Sequence, residues 1–375
     1  LTEKLRMKRD EKNKALSFGH PRYAHPFEPL LLSVAVMEPT FGMLDASDVI
    51  SNASNLRKLF DLLRNRAWIA ERFDIEIRGR TLLLSRWNED PHLSGSLGFG
   101  AGFERATCHY APGDGPVIRG SASHHRVVTY RFGGLQCVVQ SEVDAYYCDC
   151  RHSESPSLPT LADCADEKAQ FDTLAFSFNP LAPSFGPLAS SGERNILPSP
   201  QPVLPPTIAF AALSLDDRDE DPSPAAATPL ATTTTPSPTL RIHHIGRNIN
   251  SSCLVEVKTR NAGSIAMSTP EAQLYFSRRA KLYMASHEKG VFTPGPDLVV
   301  RDMTADLEVW EKEEQVTLRK LAALLRMVRE RVRVLKERGV VRVSLVCEGD
   351  GTGRGEGVRV RLCERVGGEG GGLLP

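Results

Sequence analysis

Between Pro156 and Pro238 the chain carries fifteen of its 26 prolines, with Ser and Ala among them and an unbroken Thr232–Thr235 run. A stretch of that composition cannot bury enough apolar surface to offset the entropy of ordering it. Residues 153–240 are therefore expected to form a disordered insertion. Whatever folds must then be built from residues 28–152 and 241–366 as one domain, with strands of the two halves meeting in space. Residues 1–27, polar and basic with two His-Pro steps, read as an irregular arm with a short helix at its start, and residues 367–375 as a frayed tail.

The folded halves show strand and helix periods in turn. Phe73-Asp74-Ile75-Glu76-Ile77 alternates, turns at Arg78-Gly79 and returns as Thr81-Leu82-Leu83-Leu84, a hairpin signal. Arg126–Phe132 and Leu135–Ala145 read as two strands joined at Gly133-Gly134, and Cys253–Thr259 as another. Helices are expected over 48–66, from the Gly-rich run at 97–103 onward, over 270–286, and from an N-cap at Thr304 to Gly339. Val340–Cys347 and Val358–Cys363 read as a closing hairpin. The fold class is α/β or α+β, a mixed sheet flanked by helices.

Charge excludes little. Forty-six basic residues balance 46 acidic ones, so any nucleic-acid groove must be local, and one face of the 319–338 helix is the basic candidate. No apolar run reaches the length of a membrane span, and no secretory pattern opens the chain. The eight cysteines are scattered, as expected of a reduced intracellular protein of nucleus or cytoplasm. Cys148, Cys150, His152 and Cys164 could form a zinc site, but no C-x-x-C or matched His pair accompanies them, so that is the lesser reading. Leu97–Arg105 is rich in glycine but lacks the Lys-Ser/Thr of a phosphate loop, and Asp216–Asp221 lacks the second copy that an Asp-rich diphosphate box needs.

The chemistry gathers elsewhere. Two apolar strands end in Ser141-Glu142-Val143-Asp144 and in Val255-Glu256-Val257-Lys258. Residues two apart share a strand face, so Glu142 pairs with Asp144 and Glu256 with Lys258. If these strands are neighbours, three carboxylates and an ammonium meet in one patch, and like charges that close require a cation. An all-oxygen cluster suits Mg²⁺ or Mn²⁺, which points to a metal-dependent phosphodiesterase.

Glu104 in Gly98-Phe99-Gly100-Ala101-Gly102-Phe103-Glu104, then Glu142-Val143-Asp144, then Glu256-Val257-Lys258-Thr259, resembles the ordered motifs of the DXO-type decapping exoribonucleases, and more narrowly a divergent fungal branch. That family is related to the PD-(D/E)xK nucleases. The resemblance covers roughly residues 30–150 and 250–310 and implies a nuclease core of that kind acting on RNA 5′ ends. By resemblance, Asp144, Glu256 and the carbonyl of Val257 hold the metal, with Glu104 and Glu142 binding directly or through water. Lys258 then orients the attacking water, with Glu142 beside it in the catalytic role. A 5′-3′ exoribonuclease is a partner implied in the same way. Two departures stand out. Ala53 occupies the place of a family Arg that contacts phosphate, leaving Arg57 one turn on as substitute. The family's later glutamine has Gln273 or His287 as candidates, and Arg278 lies in the same element as a further substrate-binding residue. The rival readings are a catalytically silent member that binds RNA ends or a partner exonuclease, and a DNA-directed nuclease of the same superfamily.

Overall fold

The computed structural model describes residues 4–10, 26–38, 40–64, 71–86, 98–111, 114–121, 123–147, 212–214, 241–243, 249–262, 270–293, 300–340, 342–349 and 358–365. The first half supplies β1 (Leu5–Arg6), α1 (Glu28–Met37), α2 (Met43–Ala46), β2 (Val49–Asn52), α3 (Ala53–Leu63), β3 (Glu71–Arg78) and β4 (Thr81–Arg86). It continues through α4 (Gly100–Thr107), α5 (Pro116–Arg119), β5 (His125–Phe132), β6 (Leu135–Glu142) and β7 (Ala145–Tyr146). After β8 (Ala212–Ser214) and β9 (Arg241–His243) come β10 (Leu254–Asn261), α6 (Glu271–Ser277), β11 (Lys281–Glu288), β12 (Val291–Phe292) and β13 (Val300–Asp302). The chain closes with α7 (Thr304–Glu313), α8 (Gln315–Glu337), β14 (Val343–Gly349) and β15 (Val358–Glu364).

The strands form two mixed sheets and a small ribbon. One sheet runs β15-β14-β3-β4-β2-β6-β5, the other β1-β12-β11-β10-β7 with β13 on β11. In the first, β2 lies parallel to both β4 and β6. Its period of two explains the layering. Val49, Leu82, Leu84, Cys137 and Val139 point into one core, while Ile50, Leu83 and Val138 point into another. Both faces of these central strands are buried, as a parallel segment demands. The larger core lies under α3, α6, α7 and α8, where Phe60 meets the rings of Phe276 and Trp310. Phe60 is fully buried, and truncating such a side chain costs about 3–5 kcal/mol. Asn55 is buried on the same helix and donates to Ser51 Oγ at 3.2 Å and Leu84 O at 3.0 Å, which ties α3 to the sheet. The smaller core is sealed by Phe27 and Leu30 ahead of and within α1, and by Met43 of α2.

Several sequence expectations change here. The 48–66 helix starts only at Ala53, because Val49–Asn52 is taken as the strand between β4 and β6. The 270–286 helix stops at Ser277. Arg278 adopts a left-handed conformation (φ 54°), and the chain returns as β11, parallel to β10. The long C-terminal helix is two helices meeting at Glu314, and Asp302 Oδ1, rather than Thr304, accepts at its start, from Thr304 N at 2.9 Å. The basic face of α8 is partly committed to structure. Arg329 pairs with Asp48 at 3.0 Å, and Lys336 donates to Ile77 O at 2.8 Å. The start of the arm is a strand rather than a helix, with β1 pairing β12. Within the insertion, Ala212–Ser214 pairs antiparallel with Arg241–His243. The zinc candidates Cys148, Cys150, His152 and Cys164, the Asp216–Asp221 run and the 367–375 tail lie outside the described residues.

Candidate active site

The two motifs meet where the sheets join. β6 ends at Glu142, and Val143 N–H is held by His124 O at 2.7 Å. Val143 is buried and turns the chain out of the first sheet. Beyond Asp144, only β7 pairs with β10, through Ala145 opposite Val255 and Tyr146 opposite Leu254. The expected neighbouring of the two strands therefore comes about through this short continuation and not through the run that carries Glu142. Asp144 sits at the crossing, and its Oδ2 accepts from Val257 N at 2.8 Å. Val257 thus enters the cluster through its amide.

Glu104 comes from α4. Phe103 beside it is fully buried against Phe292 and Tyr283, which fixes the helix on the second sheet. The start of α4 is held by the N-terminal segment: Asp10 accepts from Ala101 N at 3.1 Å and Gly102 N at 2.9 Å. A side chain at residue 102 would press on Asp10 Oδ1 at 3.3 Å, so glycine permits this close approach. Asp10 is further anchored by its own N–H on Gly98 O, and Met7 N–H on Gly290 O, both at 2.8 Å.

The electrostatics show how tightly the acids are gathered. Burial pushes Glu104 up to about 7; Lys258 opposes this, while Glu142, Glu256 and Asp10 add to it. Burial also raises Asp144 well above the usual carboxylate range, reinforced by Glu256 and Glu104 and opposed by Lys258 and the Val257 N–H. The Cys108 thiol rises through burial, with Glu104 and Asp144 adding to it despite its Thr107 contact. Glu256 is almost wholly buried. Its Oε1 receives Lys258 Nζ at 2.5 Å and the amide of Gln273, and its Oε2 receives Arg279 Nη1 at 2.5 Å. Gln273 in turn accepts from Arg57 Nη1 at 2.8 Å.

Of the residues singled out from sequence, Glu104, Glu142, Asp144, Glu256, Val257 and Lys258 come together, and Arg57 and Gln273 join them through one hydrogen-bonded line. Of the two candidates for a binding glutamine's role, Gln273 donates to Glu256, while His287 stacks on Phe99 and Phe292. Glu142 is exposed at the end of its strand, opposite His125. Arg278 is not brought in. Its guanidinium lies over the Tyr130 ring at 4.0 Å and the Tyr275 ring at 4.7 Å, because the left-handed turn sends consecutive side chains to opposite sides. Ala53 is buried in the main core at the first turn of α3. Sequence reasoning missed Arg279, which follows immediately and faces Glu256, and also missed Ser141, which accepts from Arg279 Nη2 at 3.0 Å. The only signal was a pair of arginines directly after a short helix.

The donor chemistry of Glu104, Asp144 and Glu256 suits a hard divalent ion. In spacing, no three His, Cys, Asp or Glu side chains among the described residues stand close enough to share one. Fold and site define an α/β protein of two mixed sheets with a carboxylate–lysine cluster at their junction. The chain belongs to the family described as a domain of unknown function, DUF8563, whose model matches residues 20–175 and 218–348. No curated protein matches the sequence. Among solved structures, S. pombe Rai1 in complex with 3′-FADP is similar at 10% identity and a TM-score of 0.48, over 97% of this chain and 87% of that one. Scheffersomyces stipitis Rai1 in complex with (3′-NADP)+ and calcium ion is similar at 11% identity and 0.48, over 98% and 80%. Candida albicans Rai1 in complex with pU5-Mn2+ is similar at 10% and 0.47, over 91% and 74%. No described helix is long and apolar enough to cross a membrane.

Proposed function

We propose that this chain is a metal-dependent hydrolase of RNA 5′ ends, cleaving a phosphodiester or pyrophosphate bond there. The observation that carries the reading is the convergence of Glu104, Asp144 and Glu256 on Lys258 at the β7–β10 junction, in the order in which the motifs occur along the chain. Asp144 and Glu256 would hold Mg²⁺ or Mn²⁺ with the carbonyl of Val257, and Glu104 and Glu142 would bind it directly or through water. When bound, the ion supplies Lewis-acid polarisation of the phosphoryl oxygen and a more acidic water. Lys258, half-exposed beside Glu256, would orient an attacking water and steady the charge on the phosphorus oxygens. Glu142, at the solvent-facing end of β6, takes the water's proton as the new P–O bond forms and the bond to the leaving oxygen breaks. Arg57, half-buried and aligned by Gln273, grips a phosphate of the RNA end in place of the arginine missing at Ala53.

The test uses purified protein with Mn²⁺ or Mg²⁺ and 5′-triphosphate, 5′-monophosphate and capped RNA side by side. Metal-dependent product from any of these, lost on the order of a hundredfold or more in Asp144→Ala, is expected. Unchanged turnover in that variant would remove the site assignment. A second reading is favoured by the Arg279–Glu256 ion pair: a silent member that binds RNA ends, or docks on a 5′-3′ exoribonuclease, without turnover. RNA-end binding with no product under either metal would make it the better one.

A further inference from the structure

Glu256 is the most deeply buried of the cluster's carboxylates, and the one with the most protein donors on it. Arg279 is one of its three donors and the one on Oε2. α6 ends at Ser277, Arg278 turns left-handed, and Arg279 N–H closes back on Leu274 O at 3.0 Å. This backbone clamp aims the Arg279 side chain inward. Its Nη1 lies 2.5 Å from Glu256 Oε2 and its Nη2 3.0 Å from Ser141 Oγ, with both ion-pair partners 1% exposed. A second buried arginine, Arg126, lies beside it, pushed down to about 9 by burial and then by Arg279 itself. The opposite oxygen, Oε1, carries Lys258 and Gln273. Two protein cations and an amide therefore already compensate the one carboxylate best placed to anchor a metal.

We propose that Arg279 is a built-in counter-cation for Glu256: it holds the carboxylate in place without a metal and competes with a divalent ion for it. This rests on the reading of the cluster as a metal site and concerns how tightly that site takes its ion. A hard cation arriving at Glu256 must displace a charge-assisted hydrogen bond from Oε2 or share the space beside a guanidinium of like charge. Both weaken its hold. Asp144 and Glu104 remain as the donors with least protein cation upon them, so the ion is drawn to their side. The chain keeps its site assembled in metal-free solution and fills it only at high ion concentration.

The experiment is Mn²⁺ binding, followed by the free-ion electron paramagnetic resonance signal, in full-length wild type, Arg279→Met, Arg279→Lys and the Asp144→Asn/Arg279→Met double variant. Arg279→Met should bind Mn²⁺ at least about tenfold tighter than wild type, by relief of a like charge at close range. Arg279→Lys should stay near wild type, and the double variant should lose the gain. Melting temperature gives a second readout: Arg279→Met should melt lower than wild type in chelator and recover more on adding Mn²⁺, since the ion then replaces the missing charge. Equal, Asp144-dependent affinity in wild type and Arg279→Met would overturn the proposal and leave the metal site standing. Absence of any Asp144-dependent binding in all variants would overturn both. An Arg279→Met protein that folds neither with nor without Mn²⁺ would also overturn it, because the ion should rescue the pair it replaces.

Discussion

Glu104→Gln should stabilise the metal-free protein at pH 8 and do much less at pH 5. Glu104 is partly buried on α4 among Glu142, Glu256 and Asp10, and burial with these neighbours lifts it from its ordinary 4.5 to about 7. A carboxyl raised in the folded state binds its proton more tightly there than in the unfolded chain. Its favourable contribution is complete below pH 4.5 and is lost as pH rises through about 7. A rise of that size corresponds to roughly 3 kcal/mol at about 1.36 kcal/mol per pH unit. Glu104 keeps part of its surface in water, and screening reduces the expected effect to about 1–2 kcal/mol. Glutamine keeps the shape and cannot ionise, so it removes the penalty that wild type bears at pH 8. For a domain of this size that is about 3–6 °C in melting temperature. Thermal unfolding of both proteins in chelator, by circular dichroism at pH 5 and pH 8, reads it directly. A difference of the same size at both pH values, or a variant that melts lower at pH 8, would refute the reasoning.

The remaining predictions follow from named contacts. Asp10→Ala removes both acceptors at the start of α4 and should cost about 1–2 kcal/mol in urea unfolding, with residues 4–10 becoming sensitive to limited proteolysis. Gly290→Ala should cost about 2–4 kcal/mol, because residue 290 has φ +84° and an added Cβ would press on the Phe99 ring and lie 2.8 Å from Met7 O. Arg57→Ala should raise KM for RNA about tenfold with kcat little altered, as expected for a residue that grips the end without touching the reacting bond; a large fall in kcat would instead make it part of the chemistry.

The strands and their carboxylates were legible in the sequence because period-two alternation and apolar runs are local properties: the β3–β4 and β5–β6 hairpins and the closing β14–β15 hairpin all follow from them. Elements that depend on their neighbours were not. Val49–Asn52 is strand because β4 and β6 offer it backbone partners on both sides, which outweighs the helical signal continuing from residue 53. Lys281–Glu288 is strand because Arg278 takes a left-handed turn and β10 is waiting beside it. At the site, the spacing of Glu142, Asp144, Glu256 and Lys258 named the acids and the lysine, since residue types two apart on a strand say what chemistry can share a face. It did not say that the chain changes sheet at Val143, so that Asp144 rather than Glu142 reaches β10. Nor did it say that of two adjacent arginines one would lie between tyrosine rings and the other on a buried glutamate. Those outcomes depend on which groups are excluded from water together, and only the packing of α6 against both sheets decides that.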